Sequence, residues 1–266
     1  MQKEVLKEYK KQEDRIILSQ VLDKIEFSDL RKSIEITNFL DMYQISLVEN
    51  FLRKIKFKNY ILYGGYENSE RKILILYNER YNENEVKAKY VEFFGIVRVI
   101  LPDCDKGKFV HRNYLGGIIK LGFSREKVGD IIVREEGADI ITIKSFSMIL
   151  KQELQNLNRF ENANIEITEI LKLIEREIIK EEIKIIVPSL RLDNIVSDLI
   201  RTSRSKAVNI INQERVFING KCEIKQSKNI RIGDTITIRG KGRFIIKQES
   251  GTTRSGRPVL IIEKFI

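Results

Sequence analysis

The chain has 266 residues, 48 Lys and Arg against 38 Asp and Glu, and a formal net charge of +10. Its two cysteines and single histidine exclude a disulfide framework, a cysteine-rich zinc site and a His-His acid-base pair. The amino terminus is charged from its third residue and no later stretch reaches the ~18 apolar residues of a membrane span, so the expectation is a soluble, cytoplasmic protein with no membrane segment.

In chain order, residues 4–57 read as helical. Val5, Tyr9, Ile16, Ile17 and Leu22 form the apolar positions of a first segment, Ser28 is the expected cap of a second, and Leu47, Phe51, Leu52 and Ile55 mark a third. Tyr60 to Tyr63 and Ile73 to Tyr77 then read as extended, joined through Gly64-Gly65. This predicts a small helical domain over 1–87 that ends in a hairpin.

Residues 88–187 change rhythm: strand 96–101, helix 110–121, strand 130–134, a turn at Glu136-Gly137, strand 139–144, helix 147–157 and strand 164–168. That order is β-α-β-β-α-β, the split arrangement of ferredoxin-like and RNA-recognition folds. The central strands read IVRVIL and DIITIK and lack the aromatic side chains on which such sheets stack bases, so RNA binding by this sheet would have to work differently. Residues 169 onward, EILKLIEREIIKEE, predict a charged helix running into the extended IKIIVP.

Residues 188–266 predict two short amphipathic helices and a twisted ribbon of strands. Leu192, Ile195, Val196, Leu199 and Ile200 line one face of the first helix, opened by Pro188 and Ser189. Ser203 starts the second, which buries Ala207, Ile210 and Ile211, and Asn219-Gly220 suits a tight hairpin turn. This third of the chain holds 16 Lys and Arg against 7 Asp and Glu, so +9 of the +10 lies here. A nearly neutral body with a basic end is the electrostatic footprint of a protein that meets a polyanion through one domain.

The motifs R-L-D at Arg191, S-R-x-K-A at Ser203, V-x-I-N-G at Val216 and G-D-x-I-x-I-R at Gly233 resemble the S4-type, or alpha-L, RNA-binding domain. The segment HRNYLGGIIKLGFSREKVGDIIV from His111 and the ending RGKGRFIIKQESGTTRSGRPVLIIEKF are similar to the YlmH family of bacterial RNA-binding proteins. The resemblance implies an α+β protein with a helical N-terminal domain, an RRM-like middle domain (88–187) and an S4-type domain (188–266). It also implies binding to ribosomal RNA and tRNA on the large ribosomal subunit and a role in ribosome-associated quality control, where stalled peptidyl-tRNA is held while an alanine tail is added. A link to cell division rests on the family alone.

The residues expected to meet RNA are Arg191, Arg201, Ser203, Arg204, Lys206, Arg215, Lys221, Arg239, Lys241 and Arg243. Arg191 and Arg204 lead the set, because each opens a helix and a guanidinium can bind phosphate through two hydrogen bonds. The competing reading is a surface salt bridge from Arg191 to Asp193. His111, Arg112 and Tyr114 belong to the family signature without a chemical role; Asn113 stands where the family often has Asp, and Glu214 where it often has Gly. R-L-D also occurs with a catalytic aspartate in pseudouridine synthases, so the alternative is an RNA-modifying enzyme. Such enzymes carry a long catalytic domain after the binding domain, and only a short segment follows Gly242 here. No glycine-rich loop matches a phosphate-binding motif. The expectation is a monomeric, non-catalytic RNA-binding protein with no metal and no cofactor.

Overall fold

The computed structural model of the chain describes residues 2–175 and 180–265. They form an α+β protein that divides into two compact units, Met1–Arg176 and Glu177–Ile266.

The first unit opens with α1 (Gln2–Val5) and α2 (Gln12–Arg31), then β1 (Ile34–Leu40), α3 (Met42–Lys54), β2 (Tyr60–Tyr63) and β3 (Lys72–Tyr77). Ser28 does not start a helix: α2 runs through it, and its hydroxyl donates to the Ile25 carbonyl one turn back, at 3.0 Å. The helix closes at Lys32, which adopts a left-handed φ of 52°. Ile16 points to solvent, whereas Leu18, Val21, Leu22 and Ile25 face the core. The strand β1, IEITNFL, occupies part of the stretch expected to be helical. Its β-branched and aromatic alternation pairs antiparallel with β3 in the order β1-β3-β2. After it, Asp41 caps α3 by a reciprocal box with Gln44. Leu40, Leu74 and Leu76 pack against α2 and α3, while Phe39, Ile73 and Ile75 leave the opposite face.

The chain continues through α4 (Glu83–Ala88), α5 (Tyr90–Phe93), β4 (Phe94–Ile100), α6 (His111–Lys120), β5 (Val128–Arg134), β6 (Gly137–Ile143), α7 (Ser147–Gln155) and β7 (Asn164–Glu169). The strands align as β5-β6-β4-β7 with every neighbour antiparallel. This is the β-α-β-β-α-β order read from the sequence. Val97, Val99, Ala138, Ile140 and Ile165 pack on α6 and α7 through Tyr114, Ile118, Leu150 and Leu154. The other face, carrying Phe94, Ile96, Ile132 and Ile141, packs against Phe39, Ile73 and Ile75 of the three-stranded sheet. Asp130 fastens the two sheets by accepting from the Tyr66 hydroxyl and the Glu70 and Arg71 amides, at 2.9, 2.7 and 3.1 Å. Both faces of the four-stranded sheet are therefore covered.

The charged helix expected from residue 169 does not form where the chain is described. Ile170–Lys172 make a single 3-10 turn, residues 176–179 lie outside the described residues, and β8 (Lys180–Ile186) is already strand. The Glu and Lys spacing that suggests helical pairs instead serves cross-strand pairs with β13 (Pro258–Phe265) and its neighbour: Lys180 with Glu263, Glu182 with Lys247, and Glu181 with Lys264. Alternation then puts Ile185 into the core of the second unit, with Val187 just beyond the strand.

The second unit continues with α8 (Leu192–Leu199), α9 (Arg204–Asn212), β9 (Val216–Ile218), β10 (Lys221–Cys222), β11 (Thr235–Ile238) and β12 (Gly242–Thr252). Its sheet runs β10-β9-β11-β12-β13-β8, antiparallel throughout. Leu192, Ile195, Val196 and Leu199 of α8 and Ala207 and Ile211 of α9 bury against Val216, Ile236, Ile238, Phe244 and Ile262. Asn219 and Gly220, at φ 49° and 78°, make the two-residue turn expected between β9 and β10.

Candidate nucleic-acid interface

The start of α8 is fixed by main-chain bonds. The Leu192 amide donates to the Lys228 carbonyl (2.8 Å) and the Asp193 amide to that of Gln226 (3.1 Å). Arg191, not Ser189, occupies the N-cap; the Ser189 hydroxyl instead accepts from the Asn194 amide group at 2.9 Å. This places Asp193 in the first turn at 1% exposure, where its Oδ1 also accepts from the Asn194 backbone amide. A carboxylate at a helix N-terminus is favoured by the helix dipole.

Two arginines converge on that carboxylate. Arg191 donates through Nε and Nη2 at 3.1 and 3.0 Å, and Arg204 through Nε and Nη2 at 2.9 and 2.6 Å. Arg204 is the first residue of α9, set there by Ser203, whose hydroxyl accepts from the Lys206 amide at 3.3 Å. Burial pushes the Asp193 carboxyl up, but the hydrogen bonds and charges of the two guanidiniums outweigh it and hold the group below its ordinary range. The arginine side chains stay 39% and 59% exposed. The salt-bridge reading and the binding reading thus describe one arrangement: a buried anion turns the inner edges of two cations toward itself and presents both cations, fixed in direction, at the surface.

The other cations fall into separate groups. Arg201, Lys206 and Lys241 line one open depression between the end of α8, α9 and the β11–β12 turn. Arg215 donates through Nη2 to the Arg239 carbonyl at 2.9 Å, and the Arg239 guanidinium sits 4.7 Å from the Phe217 ring centroid. Arg243 lies over Phe265, and Lys221 is exposed on β10. Asn209 and Gln213 share the depression and belong to none of the sequence motifs. The available signal is spacing: Lys206 and Asn209 on the polar side of α9 and Gln213 at its C-cap stand at i, i+3 and i+7.

Glu214 holds a left-handed φ of 57°. It closes α9 in the pattern that favours glycine, with its amide on the Ile211 carbonyl and the Arg215 amide on that of Ile210. In the first unit, His111 and Arg112 are exposed at the start of α6, whereas Tyr114 is core, stacked on Phe160 with centroids 5.5 Å apart. The Asn113 side chain accepts from the Val110 amide at 2.9 Å, a bond an aspartate oxygen makes equally well. Among the described residues no group of three or more His, Cys, Asp or Glu is placed to hold a metal ion, and no helix is long and apolar enough to cross a membrane.

The two-helix and ribbon module thus carries partly exposed cations held on a buried anion. Comparison with known proteins shows what the chain is similar to. Residues 106–172 match the family model described as "Putative RNA-binding domain in YlmH". The chain is 25% identical over 253 residues to the ribosome-associated protein quality control protein P2 of Bacillus subtilis strain 168, covering 93% of each chain. A solved structure, the cell division protein ylmH from Streptococcus pneumoniae, aligns with 63% of this chain and 98% of its own at 18% identity and a TM-score of 0.49. The resemblance to the YlmH family drawn from the sequence motifs holds.

Proposed function

We propose that the protein is a non-catalytic RNA-binding factor of ribosome-associated quality control, and that residues 177–266 are its principal RNA surface. The observation that carries this is the pair Arg191 and Arg204, fixed on the buried carboxylate of Asp193 and open to solvent on their outer sides. Prefixed guanidiniums lose little side-chain entropy when a phosphate arrives, and a phosphate can accept from both. The name of the Bacillus relative and the RNA-binding description of the family domain support the ribosomal setting. In this reading the target is ribosomal RNA and tRNA on the large subunit, with stalled peptidyl-tRNA held during alanine tailing.

The RNA-modifying alternative needs Asp193 as a reactive carboxylate. That carboxylate is buried, and both its oxygens already accept from guanidiniums. The test is co-sedimentation with purified large subunits, with and without peptidyl-tRNA, across a salt series. Retention on peptidyl-tRNA-bearing subunits at a salt concentration that strips the protein from bulk RNA is the expected result, lost in the Arg191→Ala, Arg204→Ala double variant. Equal retention on free subunits, small subunits and unrelated duplex RNA would reduce the binding to nonspecific electrostatics and overturn the assignment.

A further inference from the structure

The depression between α8, α9 and the β11–β12 turn measures ≈ 360 Å³. Its lining is not uniform. Ile210 and Ile200, both half-buried, supply the apolar part. Arg201, Lys206 and Lys241 approach from three different elements and supply three cations. Asn209 and Gln213, both exposed, add two side-chain amides, each able to donate and accept.

The backbone at Arg201 points the same way. Arg201 adopts φ 49°, the left-handed position that ends α8, and the Thr202 amide closes the helix on the Ser197 carbonyl at 2.9 Å. Glycine is the residue that fits this position without strain. A long cationic side chain held there, at the rim of a depression with two further cations, is an outlier of the kind that collects at binding sites.

We propose that this depression accepts one unstacked nucleotide of a structured RNA, its phosphate among Arg201, Lys206 and Lys241, its base against Ile210 and its edge read by Asn209 and Gln213. Proteins take bulged and looped bases by covering the base face, most often with an aromatic ring or a guanidinium plane, and hydrogen-bonding its edge; here Ile210 covers the face and the two amides meet the edge. Such a nucleotide would make the protein prefer RNA with a bulge over a continuous duplex, a selectivity that Arg191 and Arg204 alone would not confer. The proposal rests on the RNA-binding reading above and adds the conformation of the RNA it selects.

The experiment uses the full-length protein and two RNA hairpins of equal length, one fully paired and one with a single bulged 2-aminopurine. Binding is followed by anisotropy and by the 2-aminopurine emission. The bulged hairpin should bind about tenfold more tightly, the order of one specific base contact, with a change in emission. The ratio should collapse toward unity in Arg201→Gly and in the double variant Asn209→Ala, Gln213→Ala. Arg201→Gly relieves backbone strain, so a fall in its ratio cannot come from unfolding, and the neutral double variant leaves the charge unchanged. Equal affinity of the wild-type protein for the two hairpins overturns the pocket and leaves the RNA-binding reading standing. Failure to bind either hairpin overturns both. An unchanged ratio in the variants, or competition by free nucleoside monophosphates at the potency of the hairpin, assigns the depression elsewhere.

Discussion

Replacing Asp193 with Asn tests the central arrangement, because the substitution keeps the shape and removes only the charge. The carboxylate is 1% exposed and accepts four bonds from two guanidiniums. Removing one partner of a fully buried pair costs about 3–5 kcal/mol, and breaking a surface pair about 0–1 kcal/mol. Here the anion is buried but both cations are partly exposed and can rehydrate. The amide oxygen of Asn can still accept one bond. The loss should therefore lie between the two limits, at about 2 kcal/mol. Urea unfolding at pH 7 measures it.

The pH dependence supplies a second readout. The folded-state carboxyl is held below its ordinary value of 3.8, so its contribution to stability is complete above that pH and is lost as pH falls through the lower folded value. The advantage of the wild type over Asp193→Asn should be constant from neutral pH down to about 4 and shrink below it. RNA binding should separate in kind: affinity for structured RNA falls about tenfold, near 1.4 kcal/mol, while affinity for an unstructured polyanion holds, since the net charge has risen by one. A stability change within about 0.5 kcal/mol, the range of an ordinary surface substitution, together with unchanged affinity for structured RNA, would refute the anchoring role of Asp193.

Arg204→Ala should weaken structured-RNA binding by about tenfold with the circular dichroism spectrum intact, as expected for a specific rather than a diffuse contact. Glu214→Gly should raise thermal stability by about 0.5–1 kcal/mol by releasing a left-handed non-glycine residue, and RNA affinity should rise as a carboxylate leaves the basic surface; a destabilised variant would contradict the strain at φ 57°. A fragment of residues 177–266 should have a higher urea midpoint than one of residues 188–266, which lacks Ile185 and Val187 and leaves the edge of β13 unpaired. In a salt titration, the Arg191→Ala, Arg204→Ala variant should show a shallower slope of log affinity against log salt, by about 0.9 for each phosphate that is no longer neutralised; an unchanged slope would place both arginines away from phosphate.

The β-α-β-β-α-β order was legible because each element there is long enough to show its own period and is bounded by a turn signal such as Glu136-Gly137. The strands β1 and β8 were not. IEITNFL follows a long helix with no Pro or Gly to mark the change, and the Glu and Lys of β8 satisfy a helical and a cross-strand pairing equally well. At the site, the motifs singled out Arg191 and Arg204, and the salt-bridge reading named one arm of the clasp that the structure shows. The second arm joins residues eleven apart on two helices, which no local period reports. The depression was illegible for the same reason, since Arg201, Lys206 and Lys241 are brought together only when the β11–β12 turn folds back beside α9.

The buried sheet constrains what residues 106–172 can do. An RNA-recognition sheet offers one face to bases, and each stacked base is worth about 1–3 kcal/mol. To offer the corresponding face here, the chain would have to expose Phe94, Ile96, Ile132 and Ile141 and, with them, Phe39, Ile73 and Ile75. At about 1.5–3 kcal/mol for each side chain taken out of water, that exposure rivals the roughly 5–15 kcal/mol that holds a whole domain folded. Two or three stacked bases do not offset it, and the Asp130 bonds to Tyr66, Glu70 and Arg71 would be broken besides. An RNA contact by this segment would therefore need surfaces outside the sheet; the first turn of α6 is one that is open, with His111 and Arg112 exposed and Asn113 satisfying the capping amide.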